Sequence, residues 1–261
     1  MQKRTLDGQV AVISGGLGDI GRAVGRKLAA LGADIAVGDI LDATHASSHL
    51  AEIATLERRS HYTAVDISDS KAVEQWIEDV ETTVGIPTLI ICNAAIVSIA
   101  NSLTIDTDEW ARTLHVNLDG AFFLARAAAA RLVKHQIPGR IVFMGSWAAH
   151  TPHPQIVAYS VAKAGLRMLC KCMALELAKH DILVNEVAPG YVDGGLVRRW
   201  YSEDPTLRGR DAGRVPLQRL IHPDEVALEV SHLCDPANRH MTGSVVLMDG
   251  GLSLVAPGQP E

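Results

Sequence analysis

Short apolar runs alternate with longer helical patterns along the chain, and this alternation limits the fold more than any other feature of the sequence. Most of the runs lack a polar residue at every second position, so they predict strands that are buried on both faces. Repeated strand–helix–strand order predicts an α/β fold, a doubly wound parallel sheet of about seven strands with helices on both faces. The predicted strands are Val10–Ser14, Asp34–Val37, His61–Val65, Thr88–Cys92, Arg140–Met144, Leu183–Val187 and Val245–Met248.

Helical periodicity predicts helices between these strands, over 19–31, 43–58, 69–84, 106–134, 155–179 and 222–234. The stretch Gly190–Val215 follows no regular pattern, and residues 190–216 are predicted to form a substrate-loop insertion. The sequence shows no repeat, low-complexity segment or interdomain linker. We therefore interpret residues 1–261 as a single domain.

The composition of the 261-residue chain argues against several classes of protein. Hydrophobic residues make up 48% of it, too many for a disordered chain, and a net charge of −6 disfavours binding to nucleic acid. The apolar runs are too short to span a membrane and the N-terminus lacks a signal-peptide pattern, so a cytoplasmic protein is predicted. His150 and His153 lack a third ligand, and no metal is predicted. We interpret Cys92, Cys170, Cys172 and Cys234 as small core or surface residues, because their spacing fits neither a redox pair nor a zinc knuckle.

A glycine-rich turn joins the first predicted strand to the first predicted helix. It reads Ser14-Gly15-Gly16-Leu17-Gly18-Asp19-Ile20-Gly21. Glycines allow the backbone to turn tightly and to approach a pyrophosphate, whose charge then meets the helix N-terminus. An ordinary tight turn is the alternative interpretation, but the strand–turn–helix context favours dinucleotide binding.

Further segments, taken with this turn, make the chain resemble the short-chain dehydrogenase/reductase family, in its compact single-domain branch. The resemblance runs from Gly8 to Gly251 and implies a Rossmann-like fold and a nicotinamide-dependent oxidoreductase. The segments that carry it are Asn93-Ala94-Ala95, Asn117, Ser146 with Tyr159-Ser-Val-Ala-Lys163, Pro189-Gly190, and Thr242-Gly243 with Asp249-Gly250-Gly251.

The chain departs from the family pattern at a few positions. Asp19 stands where that branch usually has the middle glycine of the turn, and its carboxylate is expected to point away from the pyrophosphate because like charges repel. Ala95 replaces a usual glycine. Gly194 stands where a threonine hydroxyl commonly contacts the nicotinamide carboxamide.

The predicted catalytic residues are Asn117, Ser146, Tyr159 and Lys163. Tyr159 and Lys163 are four residues apart on a predicted helix and so share one face. A nearby ammonium and the nicotinamide charge are expected to lower the phenol pKa, so that Tyr159 acts as the acid/base. Ser146 follows a strand, where its hydroxyl can hold the substrate oxygen. The resemblance implies that Lys163 binds the nicotinamide ribose and that Asn117 carries a water in a proton relay. Each residue also has a structural alternative. Tyr159 and Lys163 could be an ordinary helix pair, and Ser146 could be a strand-end cap. Asn117 could satisfy backbone groups inside a helix.

The predicted cofactor is NAD, because Asp39 follows the glycine turn at the position of an acid that binds the adenosine ribose hydroxyls. A helix cap or a turn residue is the alternative for this aspartate. The resemblance places Asp66 at the adenine amino group with Ile67 beside the ring, and Asn93 as a brace of the sheet centre. The predicted cofactor-binding residues are Gly15, Gly18, Asp19, Ile20, Gly21, Asp39, Ile40, Asp66, Ile67, Asn93, Ala94, Ala95, Tyr159, Lys163, Pro189, Gly190 and Val192.

The leading functional hypothesis is an NAD(H)-dependent dehydrogenase that acts on a small secondary alcohol, such as a sugar or polyol, and its ketone. An NAD-binding regulator without turnover and a sugar-nucleotide epimerase or dehydratase remain the alternatives. A homotetramer is predicted, because the segments 106–134 and 155–179 are apolar on more than one face and the resemblance implies that they pair. The predicted substrate residues are Ser146, Trp147, Ala148, His153, Ile156, Tyr191 and Trp200.

Overall fold

The computed structural model describes residues 4–255, and its seven-stranded sheet is wholly parallel. The strand order is β3-β2-β1-β4-β5-β6-β7. The chain therefore crosses from one half of the sheet to the other between β3 and β4, and the carboxyl ends of β1 and β4 border the crevice where such sheets bind ligands. The strands are β1 Val10–Ser14, β2 Asp34–Asp39, β3 Ser60–Ala64, β4 Leu89–Cys92, β5 Gly139–Met144, β6 Ile182–Pro189 and β7 Val245–Met248.

Helices cover both faces of this sheet. One face packs against α1, α2 and α9, and the opposite face packs against α3, α5 and α6. The α-helices are α1 Asp19–Ala30, α2 Ser47–Thr55, α3 Ser70–Thr83, α4 Thr107–Leu114, α5 Gly120–His135, α6 Val157–Leu177, α7 Arg198–Glu203, α8 Pro205–Arg214 and α9 Pro223–Cys234.

The central strands are apolar on both sides because each side belongs to a separate core. Val12 and Phe143 point into the core beneath α3, α5 and α6, whereas Ile13 and Val142 point into the core beneath α1 and α9. All four side chains are at most 1% exposed. Full burial of such a side chain stabilises the fold by roughly 1.5–3 kcal/mol. The predicted α/β fold with a doubly wound parallel sheet is confirmed.

The structure differs from the sequence prediction in the long segment 106–134. It is divided into α4 and α5 by one π-helical turn, His115–Asp119. Such turns shift the backbone hydrogen-bond register and are frequent at functional sites. Asn117 lies in the middle of this turn.

The irregular stretch Gly190–Val215 contains two helices, α7 and α8, so the prediction of irregular structure was wrong for most of it. The sequence did hold a start signal for α8. Asp204 is the N-cap and accepts a hydrogen bond from the Thr206 backbone N–H at 3.0 Å, and Pro205 occupies the first helical position.

Within residues 4–255, no helix is long and apolar enough to cross a membrane. The same residues hold no group of three or more His, Cys, Asp or Glu side chains that could bind a metal ion. All four cysteines are free, and only Cys172 among them is exposed.

Candidate active site

A cavity of about 1190 Å³ opens at the carboxyl edge of the sheet, where the loops after β1, β2, β4, β5 and β6 converge. It is lined by nearly every residue that was predicted to be catalytic or to bind cofactor or substrate. The exceptions are Gly21 and Asn117, which do not line it. The fold therefore gathers residues that are far apart in the sequence into one site.

The glycine turn is close-packed against the loop after β4. A Cβ at position 15 would lie 2.7 Å from the Cα of Ala94, and one at position 21 would lie 2.4 Å from the carbonyl oxygen of Gly15. Gly21 therefore serves the packing of the turn rather than the cavity surface. Gly18 is the N-cap of α1 and gives it no side-chain cap, so the first N–H groups of α1 are available to an anion. This cradle fits a dinucleotide pyrophosphate.

Three polar side chains shape the cofactor half of the cavity. The Asp39 carboxylate accepts a hydrogen bond from the backbone N–H of Leu17 at 3.1 Å, which ties the end of β2 to the glycine turn. Asn93 braces the sheet centre, because its amide nitrogen donates to the carbonyl oxygens of Ser14 and Gly15 at 3.1 and 2.9 Å. Asp66 lies two residues beyond β3, not at its end as predicted.

Asp66 also behaves as a turn residue. Its carboxylate accepts hydrogen bonds from the hydroxyl and the backbone N–H of Ser68, and these bonds hold its pKa below the usual range. One carboxylate oxygen accepts both bonds, and the residue still lines the cavity. A role at the adenine and a role as a turn residue therefore both agree with the geometry of Asp66.

Ser146, Tyr159 and Lys163 come together beneath the loop after β5. The Lys163 ammonium is buried and donates a hydrogen bond to the carbonyl oxygen of Met144 at 2.7 Å. It lies 5.5 Å from the centroid of the Tyr159 ring. Ser146 is also a cap, because its hydroxyl oxygen accepts a hydrogen bond from the Ala148 backbone N–H at 3.1 Å. A hydroxyl oxygen can accept that bond and still donate its own proton.

Burial disfavours the charged forms of both Lys163 and Tyr159. It lowers the pKa of Lys163 to about 8, and the nearby Glu186 carboxylate opposes that shift. Burial also raises the pKa of Tyr159, and a hydrogen bond with Ser146 opposes that shift. In the protein without cofactor the pKa of Tyr159 is therefore raised, because the loss of hydration outweighs the favourable contacts. The expected lowering, which includes the charge of a bound nicotinamide, stays a prediction.

Asn117 lies behind the cavity wall, where its side chain bonds to the loop after β4. The amide oxygen accepts a hydrogen bond from the Ile96 backbone N–H, and the amide nitrogen donates to the Ile96 carbonyl oxygen, both at 2.8 Å. This geometry matches the alternative of a polar residue that satisfies backbone groups. The side chain positions the loop after β4 against the π-helical turn.

A buried ion pair beside the catalytic candidates escaped the sequence analysis. Glu186 on β6 is fully buried and pairs with Arg167 on α6 at 2.9 Å. The sequence did contain features that indicate this pair. Glu186 is the only charged residue in a mostly apolar strand, and Arg167 follows Lys163 by four residues on the same helix face.

The substrate half of the cavity combines an aromatic cluster with an apolar wall. Trp147 makes edge-to-face contacts with His153 and Tyr191, each with ring centroids 5.6 Å apart. All the predicted substrate residues line this half. Sequence reasoning missed other lining residues, of which the main ones are Ile96, Val97, Ile99, Tyr201, Arg210, Asp211 and Arg214.

Asp19 faces the insertion rather than the turn. One carboxylate oxygen accepts a hydrogen bond from the Gly195 backbone N–H at 2.7 Å, and the other lies 2.5 Å from the guanidinium of Arg198. The expectation that this carboxylate points away from a bound pyrophosphate agrees with these contacts.

Comparisons with known proteins agree with the fold. A family model described as enoyl-(acyl carrier protein) reductase matches residues 16–253. L-rhamnose 1-dehydrogenase (NAD(P)(+)) from Sphingomonas sp. (strain SKA58) is 30% identical, over 95% of this chain and 98% of that protein. A crystal structure of a short-chain type dehydrogenase/reductase from Mycobacterium marinum is 30% identical with a TM-score of 0.90, over 96% of this chain and 97% of the other. A crystal structure of NAD⁺-bound xylitol dehydrogenase is 26% identical with a TM-score of 0.88, over 95% of this chain and 100% of the other. The chain therefore belongs to the short-chain dehydrogenase/reductase family of oxidoreductases.

Proposed function

We propose that this protein is an NAD(H)-dependent dehydrogenase that transfers a hydride between a small secondary alcohol and its ketone. The observation that carries the proposal is the convergence of Ser146, Tyr159 and Lys163 on the cavity that also contains the glycine turn. A nicotinamide cofactor, when bound, supplies the hydride acceptor or donor.

Each of the three side chains has a role that its position supports. Tyr159 takes the proton of the alcohol hydroxyl during oxidation and returns it to the carbonyl oxygen during reduction. Ser146 donates its hydroxyl proton to the substrate oxygen and stabilises the charge that develops there. Lys163 keeps a positive charge near the Tyr159 ring, and this charge favours the phenolate that burial disfavours.

We infer that NAD is preferred over NADP from the surroundings of Asp39. The carboxylate lies on the cofactor side of the cavity, where a ribose hydroxyl would be a hydrogen-bond donor and a 2′-phosphate would be repelled. Arg22, in α1 just after the glycine turn, is a base that could offset this repulsion. Its guanidinium donates instead to the Leu17 and His45 carbonyl oxygens and to the Ser48 hydroxyl.

A sugar or polyol is the proposed substrate class. The aromatic cluster of Trp147, His153 and Tyr191 provides flat surfaces with polar edges, which suit the faces and hydroxyls of such a molecule. The named activities of the rhamnose and xylitol dehydrogenases agree with this class. The homotetramer, the single domain, the substrate-loop role of residues 190–216 and the cytoplasmic location stay predictions.

A substrate screen tests the proposal. The purified protein is mixed with NAD and, separately, with NADP, against sugars, polyols and simple secondary alcohols, while absorbance of the reduced cofactor is followed. We expect NAD-linked turnover of at least one alcohol. Binding of NAD with no turnover of any alcohol would favour the regulator. Epimerisation of a sugar nucleotide without net reduction of cofactor would favour the epimerase.

A further inference from the structure

The chain departs from its family at two positions far apart in the sequence, and the structure brings them into contact. Asp19 begins α1 after the glycine turn, and Gly194 lies in the insertion after β6. A Cβ at position 194 would lie 2.8 Å from the Oδ2 of Asp19 and 3.2 Å from its Cβ. The aspartate carboxylate therefore fills the space that a side chain at position 194 would need.

The backbone at Gly194 also requires glycine. Its φ of 150° and ψ of −160° lie in a region that is essentially restricted to glycine. This conformation directs the next N–H, that of Gly195, to the Asp19 carboxylate at 2.7 Å. A threonine at position 194 would meet both the carboxylate and this backbone strain. Aspartate at position 19 and glycine at position 194 thus form one structural arrangement.

The contact holds the start of the insertion, residues 190–216, which we term the flap. Beyond Gly195, the Arg198 guanidinium pairs with the second oxygen of Asp19 at 2.5 Å. Farther along, the Arg208 guanidinium donates to the Asp193 carboxylate at 2.9 Å, which ties α8 to the same short segment. The flap is therefore linked internally and is joined to α1 through Asp19.

The relative burial of the two contacts indicates which one matters more. The Asp19 side chain is only 17% exposed, whereas that of Arg198 is 69% exposed. An exposed ion pair contributes little, but a hydrogen bond from a backbone N–H to a shielded carboxylate contributes more. The bond from Gly195 is therefore expected to be the stronger of the two.

We propose that Asp19 is a positioning residue that latches the flap over the substrate half of the cavity. The flap supplies Trp200, Tyr201 and Arg210 to the cavity lining, so its placement sets the shape of the substrate pocket. The first turn of α1 is also the proposed pyrophosphate cradle, so the flap and the cofactor share one anchor. The kinetic consequence rests on the proposed function, whereas the latch itself does not.

Limited trypsin digestion of the protein without cofactor tests the latch directly, because the flap contains several arginines. Fragments are mapped by mass spectrometry to separate cleavage in the flap from cleavage elsewhere. Asp19→Gly, which restores the family residue, should speed cleavage between residues 198 and 214 by about tenfold or more, since it removes a hydrogen bond to a charged acceptor. Asp19→Asn should have an intermediate effect, because an amide oxygen can still accept the Gly195 bond. Arg198→Ala removes one trypsin site, so it is compared at Arg208, Arg210 and Arg214, where it should have a smaller effect than Asp19→Gly.

Asp108→Gly is the matched control, because Asp108 is an exposed acid in the first turn of α4, away from the cavity. It should leave flap cleavage at the wild-type rate. Thermal unfolding of each variant separates local opening from global destabilisation. A flap cleavage rate in Asp19→Gly that equals that of the Asp108→Gly control would overturn the latch, whatever the enzyme does in the substrate screen.

Gly194→Thr and its combination with Asp19→Gly complete the test. Gly194→Thr alone should open the flap, and Asp19→Gly should then add little, because the contact is already lost. Fully additive effects would show that the two residues act independently. Once a substrate is known, Asp19→Gly and Gly194→Thr should each raise KM for that substrate more than they lower kcat. Equal KM with altered flap cleavage would show a latch that does not shape the pocket.

Discussion

Glu186 forms a two-point ion pair with Arg167 beneath the loop that carries Ser146. The Glu186 oxygens accept hydrogen bonds from Nη2 and Nε of Arg167 at 2.9 and 3.1 Å. The same Nη2 lies 3.3 Å from the Ser146 carbonyl oxygen, to which it also donates. The Glu186 carboxylate also raises the pKa of Lys163 against the effect of burial. One buried pair thus supports two of the three proposed catalytic side chains.

We expect Glu186→Gln to destabilise the fold by about 3 kcal/mol, because it leaves the largely buried Arg167 guanidinium, which is 15% exposed, without its counter-charge. It should also shift the alkaline limb of the kcat profile to lower pH, since Lys163 loses the charge that supports its ammonium. Denaturant unfolding and pH-dependent kinetics measure the two effects. Glu78→Gln removes a surface pair with Arg131 and should cost less than about 1 kcal/mol. Equal losses in the two variants would contradict the role of the buried pair.

Tyr159→Phe should fold and bind cofactor but lose about 10²–10⁴-fold in kcat, because only the proton-transferring oxygen is removed. Steady-state kinetics and a cofactor-binding titration measure the change. Tyr62→Phe is the matched control, because it also removes a phenol hydroxyl. The Tyr62 hydroxyl donates to backbone carbonyl oxygens and does not contact Ser146, Tyr159 or Lys163. Its kcat should stay close to that of the wild type. Near-normal turnover by Tyr159→Phe would end the assignment of Tyr159 as the acid/base.

Asp39 is expected to select NAD. Asp39→Ala should reduce the NAD/NADP ratio of kcat/KM by roughly 30- to 150-fold, the equivalent of about 2–3 kcal/mol. Both cofactors are compared with one substrate. Asp42→Ala removes an exposed carboxylate three residues away that caps a short helix and should leave the ratio unchanged. An unchanged ratio for Asp39→Ala would show that another residue selects the cofactor.

His49 makes stability depend on pH. The side chain is fully buried, and burial is the main cause that lowers its pKa from 6.5 to about 4. Between these two values the unfolded chain binds more protons than the folded one, so stability falls as the pH falls from about 6.5 toward 4. This one group should lower the free energy of unfolding by about 2 kcal/mol between pH 7 and pH 5.

Denaturant unfolding at pH 7 and pH 5 checks this prediction. His49→Leu should remove that part of the difference, because an apolar side chain cannot take up the proton. His180→Leu, at an exposed histidine, should leave the difference as it is in the wild type. The same pH difference in His49→Leu and wild type would show that other groups cause it.

An exposed apolar stripe on α6 is the surface through which the predicted homotetramer would form. Val161, Met168 and Leu175 are 45%, 58% and 83% exposed and form an apolar stripe along α6. By contrast, Ala125 and Ala128 of α5 are buried within the subunit, so the segment 106–134 exposes less apolar surface there than its sequence suggests.

Met168→Glu with Leu175→Glu should reduce the mass seen by light scattering at micromolar concentration, because charges would replace the apolar stripe. Lys71→Glu changes charge at an exposed position on a different helix, α3, and should keep the wild-type mass. A monomer mass for the wild-type protein would contradict the tetramer itself.

Local patterns in the sequence were sufficient for the sheet, the glycine turn and the Tyr159–Lys163 pair. A strand that is buried on both faces must be apolar at successive positions, and residues four apart on a helix must share a face, so these features depend on neighbours in the chain. The helices α7 and α8 were missed because their polar segments lack a clear apolar period, although Asp204 and Pro205 marked the start of α8.

Only the tertiary structure decided which distant residues meet. Asp19 and Gly195 are 176 positions apart, and Asn117 and Ile96 are 21 apart, so neither contact has a local signal. The pKa of Tyr159 depends on how much water the folded chain excludes, which the spacing to Lys163 does not reveal. The sequence by itself determined the elements and the order of the chemical groups. The fold decided their distances and burial, because both are properties of side chains brought together from separate parts of the chain.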